Sequence, residues 1–439
     1  MAPDGYVANR YDDCARILRH PVESTNGAIY CNPIFLRDDL RVLSFDVDIA
    51  IFGGGIGGLW LLNRLRARGY NAVLFETAAL GGGQSINSQG MIHGGIKYAL
   101  GGVLTGSSEA IADMPEHWRR CLRGDGDVDL RGVNVLSEHF YLWSTENLAS
   151  RLTGFFASKL TRGRVENIAK KDAHPIFRDP AFRGNLYKLI DVVLDVPSLI
   201  AKLTANARGC IYQIEENSIA FEKNADGTIA AITARCGAQM IRCCVQEVIF
   251  SAGAGNANLL QKIGAQKPEM QLRPLHQGLM KHRYPHALYA HCTGGNSSPR
   301  LTISSHPLRD GSWVWYLGGD LATNGVDLSP TELIAHAKRE VSELFPWVDF
   351  GTTEWATLRI DRAEPKQKGL IKPDKAFAAH AENCSNAIVA WPTKLTLTPN
   401  MADEVDALLA INPKARPLPA PCAQLSVPPL AKPCWEILF

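Results

Sequence analysis

The stretch DVDIAIFGGGIGGLWLLNRLRARGYNAVLFE, residues 46–76, decides the fold. Val47, Ile49 and Ile51 with their neighbours form a run apolar on both faces, as a strand buried in a parallel sheet requires. Gly53, Gly55 and Gly58 then give the spacing G-x-G-x-x-G, Leu59 to Arg68 follows as a helix, and Asn71 to Phe75 as the next strand. This is a complete βαβ unit, the opening of a Rossmann-like α/β domain. In such a unit the first glycine permits a tight turn, the second lets a pyrophosphate approach the backbone, and the third lets helix and strand pack closely. The helix start, here Ile56 and Gly57, offers unpaired N–H groups and a partial positive charge. Glu76 ends the second strand, where a carboxylate accepts hydrogen bonds from an adenosine ribose and repels a 2′-phosphate, which disfavours NADP. The alternative is a glycine turn with no ligand, but the strand before, the helix after and the acid at its distance all favour dinucleotide binding.

Which dinucleotide is decided further along. After Glu76 the chain enters AALGGGQSINSQGMIHGGIKYALGG, residues 78–102, rather than another strand and helix. Tight glycine backbone, Gly90 included, with the small polar side chains Gln84, Ser85, Asn87, Ser88 and Gln89, suits hydrogen bonding to the edge of a flat heteroaromatic ring. That suggests a flavin, and hence FAD.

Three segments then carry a family resemblance. Ser88 to Tyr98, SQGMIHGGIKY, is similar to the S-S-x-x-I-H-G-G-L-R-Y segment of the FAD-dependent oxidoreductases of the D-amino-acid oxidase superfamily; Thr393 to Pro399, TKLTLTP, is similar to their G-K-L-T-T loop. Between them Val248 to Leu260, VIFSAGAGNANLL, resembles the late strand and glycine turn, with Gly253, that returns to the cofactor. Within the superfamily the chain resembles the flavin-dependent glycerol-3-phosphate dehydrogenases. The matches keep their order over residues 46 to about 410. Two departures stand out. Trp391, Pro392 and Thr393 replace glycines that often precede the lysine loop, and Lys97 stands where the glycerol-3-phosphate enzymes have arginine. A lysine cannot supply a bidentate phosphate fork, so the resemblance does not carry that substrate over.

The resemblance implies an FAD-dependent dehydrogenase or oxidase that takes a hydride, at flavin N5, from a C–H bond beside an amine or hydroxyl of a small, anionic substrate. Oxygen or a quinone would reoxidise the cofactor. Lys394, with the backbone of Thr393, Leu395 and Thr396, is the candidate for stabilising negative charge on the reduced ring, against a plain surface lysine. His93 either fixes its turn through backbone hydrogen bonds, acts as a base, or attaches the flavin covalently. Tyr316, in WVWYLGGD, either meets the ligand or packs in the core. Arg359 and Arg362 in LRIDRAEP pair a substrate anion or else join Asp361 and Glu364 in an internal salt-bridge network. Two other readings compete: a flavin-binding protein without turnover, structural or redox-sensing, and an NAD-linked dehydrogenase.

The rest of the chain frames this site. With 46 basic and 44 acidic side chains in 439 residues, the net charge of +2 gives no electrostatic case for a nucleic-acid partner. Eleven scattered cysteines without a C-x-x-C pair point to a reducing, cytoplasmic setting, with Cys243 and Cys244 as ordinary strand residues. No secretory signal opens the chain, and Ile49 to Leu62, the longest membrane-span candidate, holds five glycines. His276, His282, His286 and His291 are too irregularly spaced for a metal site, and none is expected. The expected division is an extension over 1–45, a discontinuous FAD-binding domain over 46–125, 185–272 and 355–410, a strand-rich substrate domain over 126–184 and 273–354, and a proline-rich tail over 411–439 without regular structure.

Overall fold

The computed structural model describes residues 42–95, 111–146, 165–294, 298–368, 373, 375–413 and 425–439. Its centre is a six-stranded sheet whose strands run in the order Ile211–Gln213, Ala72–Glu76, Ile49–Phe52, Glu247–Phe250, Cys384–Trp391 and Phe377–Ala381. All neighbours are parallel except the last pair. The strand Ile49–Phe52 lies in its middle and is buried at every position, which explains its unbroken apolar run. The helix Ile56–Ala67 packs Leu59, Leu62 and Leu65 on one face of this sheet, with Leu199 and Leu203 of the helix Val196–Asn206 and Met401 and Val405 of the helix Thr398–Leu408. On the other face Phe52, Phe75 and Phe250 meet Phe221, Ile232 and Ile241 of a four-stranded sheet. The centre is thus a three-layer, doubly covered α/β core.

A second large sheet has eight strands, in the order Glu354–Pro365, Met270–His282, Trp313–Gly318, Pro299–Pro307, Ala290–Thr293, Phe140–Trp143, Leu186–Leu189 and Val165–Asn167. One face packs Met280, Leu301, Ile303, Trp315 and Leu317 against Leu333, Ala337 and Val341 of the helix Pro330–Leu344. That helix begins with a capping box, Ser329 and Glu332 each hydrogen-bonding the other's backbone.

Sheet membership moves several expected boundaries. The strands Leu186–Leu189 and Glu354–Pro365, placed by sequence with the cofactor part, pair in the large sheet; the latter runs beside Met270–His282 over twelve register pairs. Their mixed burial patterns do not say which sheet they join, because pairing partners are distant in sequence. Residues 42–46 of the expected extension form a strand parallel to Gln239–Cys244. The tail also corrects the reading: Cys434–Leu438 is a short helix, with Pro433 just before it, where a proline is tolerated. The helix Met114–Arg123 buries Trp118 and Cys121 in the core on the helical side of the central sheet. Among the described residues, no helix is long and apolar enough to cross a membrane.

Candidate active site

The glycine turn leaves the C-terminal end of the central strand, the end where open parallel sheets bind ligands. Gly53 has φ +104°, and a Cβ there would lie 2.5 Å from Ala252 Cα. A Cβ on Gly58 would lie 1.9 Å from Gly53 O, so helix and turn approach as only glycine allows. Glu76 closes the turn, its Oε2 accepting from Gly54 N at 2.5 Å and its Oε1 from Thr77 N and Ala78 N at 2.8 Å. Gly55 is the N-cap of the first helix and lacks a side-chain cap of its own; the first helical amide, Ile56 N, donates to Ser85 Oγ at 2.9 Å. The 78–92 loop therefore lies directly over the helix start.

The three expected segments converge here. His93 N donates to Thr396 Oγ1 at 3.2 Å, and that hydroxyl donates to Met91 O at 3.2 Å, locking the M-I-H-G-G turn to the lysine loop. Trp118 Nε1 donates to Thr396 O at 3.0 Å, and Asp191 accepts from Gly94 N at 2.9 Å. Gly90 has φ +70°, and a Cβ there would stand 2.1 Å from Leu194 O. Gly253 has φ +59°, with its Cβ direction 3.6 Å from Gln84 Nε2. Trp391 Nε1 donates to Gly253 O at 3.0 Å, joining the third segment to the second. Thr393 keeps a glycine-like backbone with φ 58°, so the expected departure changes the side chain and not the turn. Lys394 is half-buried beside it, and Leu395 opens a short 3-10 turn.

FAD is tested against this cradle by what the side chains leave open. Among the described residues, the buried side-chain atoms without a hydrogen-bond partner include Asn87 Oδ1 and Ser88 Oγ of the 78–92 loop and Ser251 Oγ, just after the strand Glu247–Phe250. A Cβ on Gly57 would stand 2.6 Å from Ser251 Oγ, which places that hydroxyl at the helix start. Buried polar atoms without partners are costly in a finished site. Polar hydroxyls and an amide around a glycine cradle, with a carboxylate at the strand end, fit a pyrophosphate-bearing flavin dinucleotide.

Opposite the cradle lies the second face of the eight-stranded sheet. Gln89 Nε2 donates to Tyr316 O at 2.8 Å and Ser304 Oγ at 3.3 Å. The Tyr316 hydroxyl sits between Asn87 O at 2.9 Å and Gln277 Oε1 at 2.7 Å, while burial holds its phenol well above the ordinary range and therefore protonated. Ser304 Oγ lies 3.1 Å from His306 Nε2, and His291 Nδ1 2.8 Å from Thr302 Oγ1. Burial pushes the His306 imidazole down to about 3, so it is neutral near pH 7. Tyr316 is thus both a buried residue and a contact of the cofactor loop.

Not every expected residue joins the site. Lys97 lies outside the described residues. Arg359 donates to Val326 O at 2.8 Å and Leu328 O at 2.7 Å, tying its strand to the 3-10 turn Gly325–Asp327. In place of a network within LRIDRAEP, Glu364 pairs across the strands with Arg273, which lies two residues from Glu364's register partner Gln271. The histidines His276, His282 and His291 each have separate partners, Gly325 O, Tyr284 N and Thr302 Oγ1. Among the described residues, one group could gather metal ligands, His117, Cys121 and Asp127. Arg64 also pairs with Asp127 at 2.9 Å, and burial pushes the Cys121 thiol up to about 12, so the group is a hydrogen-bonded hub between helices. Sequence reading missed Ser251, Asp191, Gln277, Ser304 and His306. The last two were signalled by the alternation in PRLTISSHP, which puts Thr302, Ser304 and His306 on one face of a strand whose other face is Leu301 and Ile303.

Comparison with known proteins gives the family. Residues 48–391 match the family described as DAO, FAD dependent oxidoreductase. A probable FAD-dependent oxidoreductase of Pseudomonas aeruginosa, PA4991, is 50% identical over 400 residues, which cover 90% of this chain and 99% of that protein. The crystal structure of PA4991 superposes with a TM-score of 0.74 at 44% identity, covering 91% of this chain and 99% of that one. More distant folds include glycine oxidase of Geobacillus kaustophilus, TM-score 0.57 at 15% identity, covering 87% and 100% of the two chains. L-alpha-glycerophosphate oxidase of Mycoplasma pneumoniae with FAD bound gives 0.58 at 14%, covering 88% and 99%. The chain belongs to the DAO family of FAD-dependent oxidoreductases.

Proposed function

We propose that this oxidoreductase oxidises a C–H bond beside an amine or hydroxyl of a small molecule held between the cradle and the large sheet. The observation that carries this reading is the sheet face itself: Gln277, Thr302, Ser304 and Tyr316, all uncharged hydrogen-bonding side chains, stand on the face that Gln89 and Asn87 of the cofactor loop touch. Bound FAD would accept the hydride. The chain's own residues would do the rest. Gly53, Gly55 and the first amides of the helix hold the diphosphate, Glu76 the ribose, and Thr393 to Thr396 with Lys394 and His93 enclose the ring. Tyr316 and Gln277 orient the substrate's polar group through the Asn87 loop.

Arg359 does not serve as an anion clamp in this reading, since its Nη1 and Nη2 each donate to a backbone carbonyl, Val326 O and Leu328 O. A substrate of modest charge suits the face better than a phosphate ester. Oxygen or a quinone is the acceptor, and the eight described cysteines, all free thiols, suit a cytoplasmic setting. The test is anaerobic addition of matched amines and hydroxy compounds to the yellow protein. Bleaching of the flavin band by one of them, faster than by its phosphorylated analogue, is the expected result; bleaching only by phosphate esters overturns the proposal. Readmitting air or a quinone then shows which acceptor restores the colour.

A further inference from the structure

The C-terminal segment lies beyond residues 48–391, which match the family, yet it is threaded along the whole candidate site. Leu425 is buried in the core beside the four-stranded sheet. Ser426 O accepts from Gln213 N at 2.8 Å, and Gln213 is the register partner of Glu76. The segment thus crosses the C-terminal ends of the two parallel strands where Glu76 marks the ribose position. Leu430 next forms a parallel bridge with Leu80, Leu80 N donating to Pro429 O at 2.8 Å and Ala431 N to Leu80 O at 2.9 Å. Leu80 in turn covers the glycine turn: a Cβ on Gly54 would stand 2.5 Å from Leu80 Cδ2, and Gly81 N donates to Gly54 O at 2.7 Å.

The segment then reaches the large sheet. Trp435 is 3% exposed and stacks on His306, centroids 3.8 Å apart with planes at 17°, and its ring lies edge-on to Tyr316 at 6.2 Å. Leu279 and Val314 complete that contact. Between the two anchors the apolar side chains point outward: Val427 is 54% and Leu430 48% exposed, at the end of the sheet where the adenosine of a dinucleotide belongs. Two such side chains beside a binding site offer apolar surface that a bound ligand can cover.

We propose that residues 426–435 are a strap over the cofactor, in which Val427 and Leu430 cover the adenine half of FAD and Trp435 fastens the strap to the substrate-facing sheet. Adenine is flat and largely apolar, so two aliphatic side chains suit its faces, while Glu76 takes the ribose hydroxyls. The anchor on His306 gives the strap a second end on the sheet that carries Tyr316, so cofactor retention and the substrate side share one segment. The proposal requires FAD, which the family establishes, and is independent of which C–H bond is oxidised.

The test uses the full chain stripped of FAD. Because Val427 and Leu430 are exposed, the double variant Val427→Ser, Leu430→Ser keeps the apoprotein's Tm, and its affinities for FAD and for ADP both fall about ten-fold. Trp435→Ala weakens FAD by a similar factor by releasing the anchor. In the wild-type protein, ADP alone slows hydrogen exchange of the peptide covering 425–439. Affinities for FAD and ADP within two-fold of wild type in the double variant, or exchange of that peptide unchanged by ADP, would overturn the strap.

Discussion

The glycine cradle and the sheet face opposite it are specified in different ways. The cradle is built from main chain: Gly53, Gly58, Gly90 and Gly253 are where they are because a Cβ would strike backbone or because φ is positive. The face is built from side chains, Gln277, Ser304, His306 and Tyr316, standing on strands whose opposite side is ordinary apolar core. Backbone constraints admit few residues and leave a spaced pattern in the sequence. Side-chain constraints admit many, so cofactor binding is legible where substrate choice is not. Substitutions in the two regions should therefore separate FAD retention from turnover.

The largest effect belongs to the cradle. Gly58→Ala places a methyl 1.9 Å from Gly53 O, against backbone that cannot move without parting helix from strand. We expect a loss of about 3 kcal/mol in stability and purification without FAD. A yellow variant with unchanged Tm would show that the close approach is not what holds the turn.

Acid should strike the sheet instead. Burial lowers the His306 imidazole to about 3 and that of His282 to about 4, both on the large sheet, from an unfolded value near 6.5. Below pH 6.5 the unfolded chain takes up protons that these folded histidines refuse. Stability present at pH 7 is then lost on acidification, by roughly 1.4 kcal/mol per pH unit for each group, down to its folded pKa. Urea midpoints from pH 7 to pH 4 measure this slope, and His306→Asn should flatten it. An equally steep slope in that variant would assign the acid sensitivity elsewhere.

Two further substitutions sharpen the contrast. Glu76→Gln keeps the shape but removes the charge that accepts from Gly54, Thr77 and Ala78, so the FAD dissociation constant should rise roughly ten- to hundred-fold, with kcat little changed at saturating FAD. Tyr316→Phe removes a hydroxyl between Asn87 O and Gln277 Oε1; FAD content should stay full while kcat/KM falls about ten-fold. If Tyr316→Phe loses FAD as readily as Glu76→Gln does, the two regions act as one and the division drawn above is wrong.

How much was legible follows the same line. Local rules placed the strand–turn–helix of the cradle. They failed wherever a residue's role depends on a partner far along the chain. Arg359 could be read as an anion clamp or as part of a salt-bridge network, because the sequence cannot show Val326 O and Leu328 O beside it. Tyr316 could be read as core or ligand because its link to Asn87 spans more than two hundred residues. The stacking of Trp435 on His306 is likewise a tertiary fact.

Thr393 tests the smallest effect and the premise itself, since here a side chain occupies a place that backbone rules would give to glycine. A β-branched residue at φ 58° is strained by about 1–3 kcal/mol. Thr393→Gly relieves that strain, but gives back about 0.4–1 kcal/mol in unfolded-chain entropy and about 1 kcal/mol for the lost bond from Thr393 Oγ1 to Lys375 O at 3.0 Å. The three terms nearly cancel, so Tm should move little. Thr393→Val keeps the strain and loses the same bond, and should be about 1 kcal/mol less stable than the glycine variant. That difference, read from paired denaturation curves, isolates the conformational term. Equal stabilities would mean that the lysine loop can relax its backbone, and that Thr393 holds its turn through the hydroxyl alone.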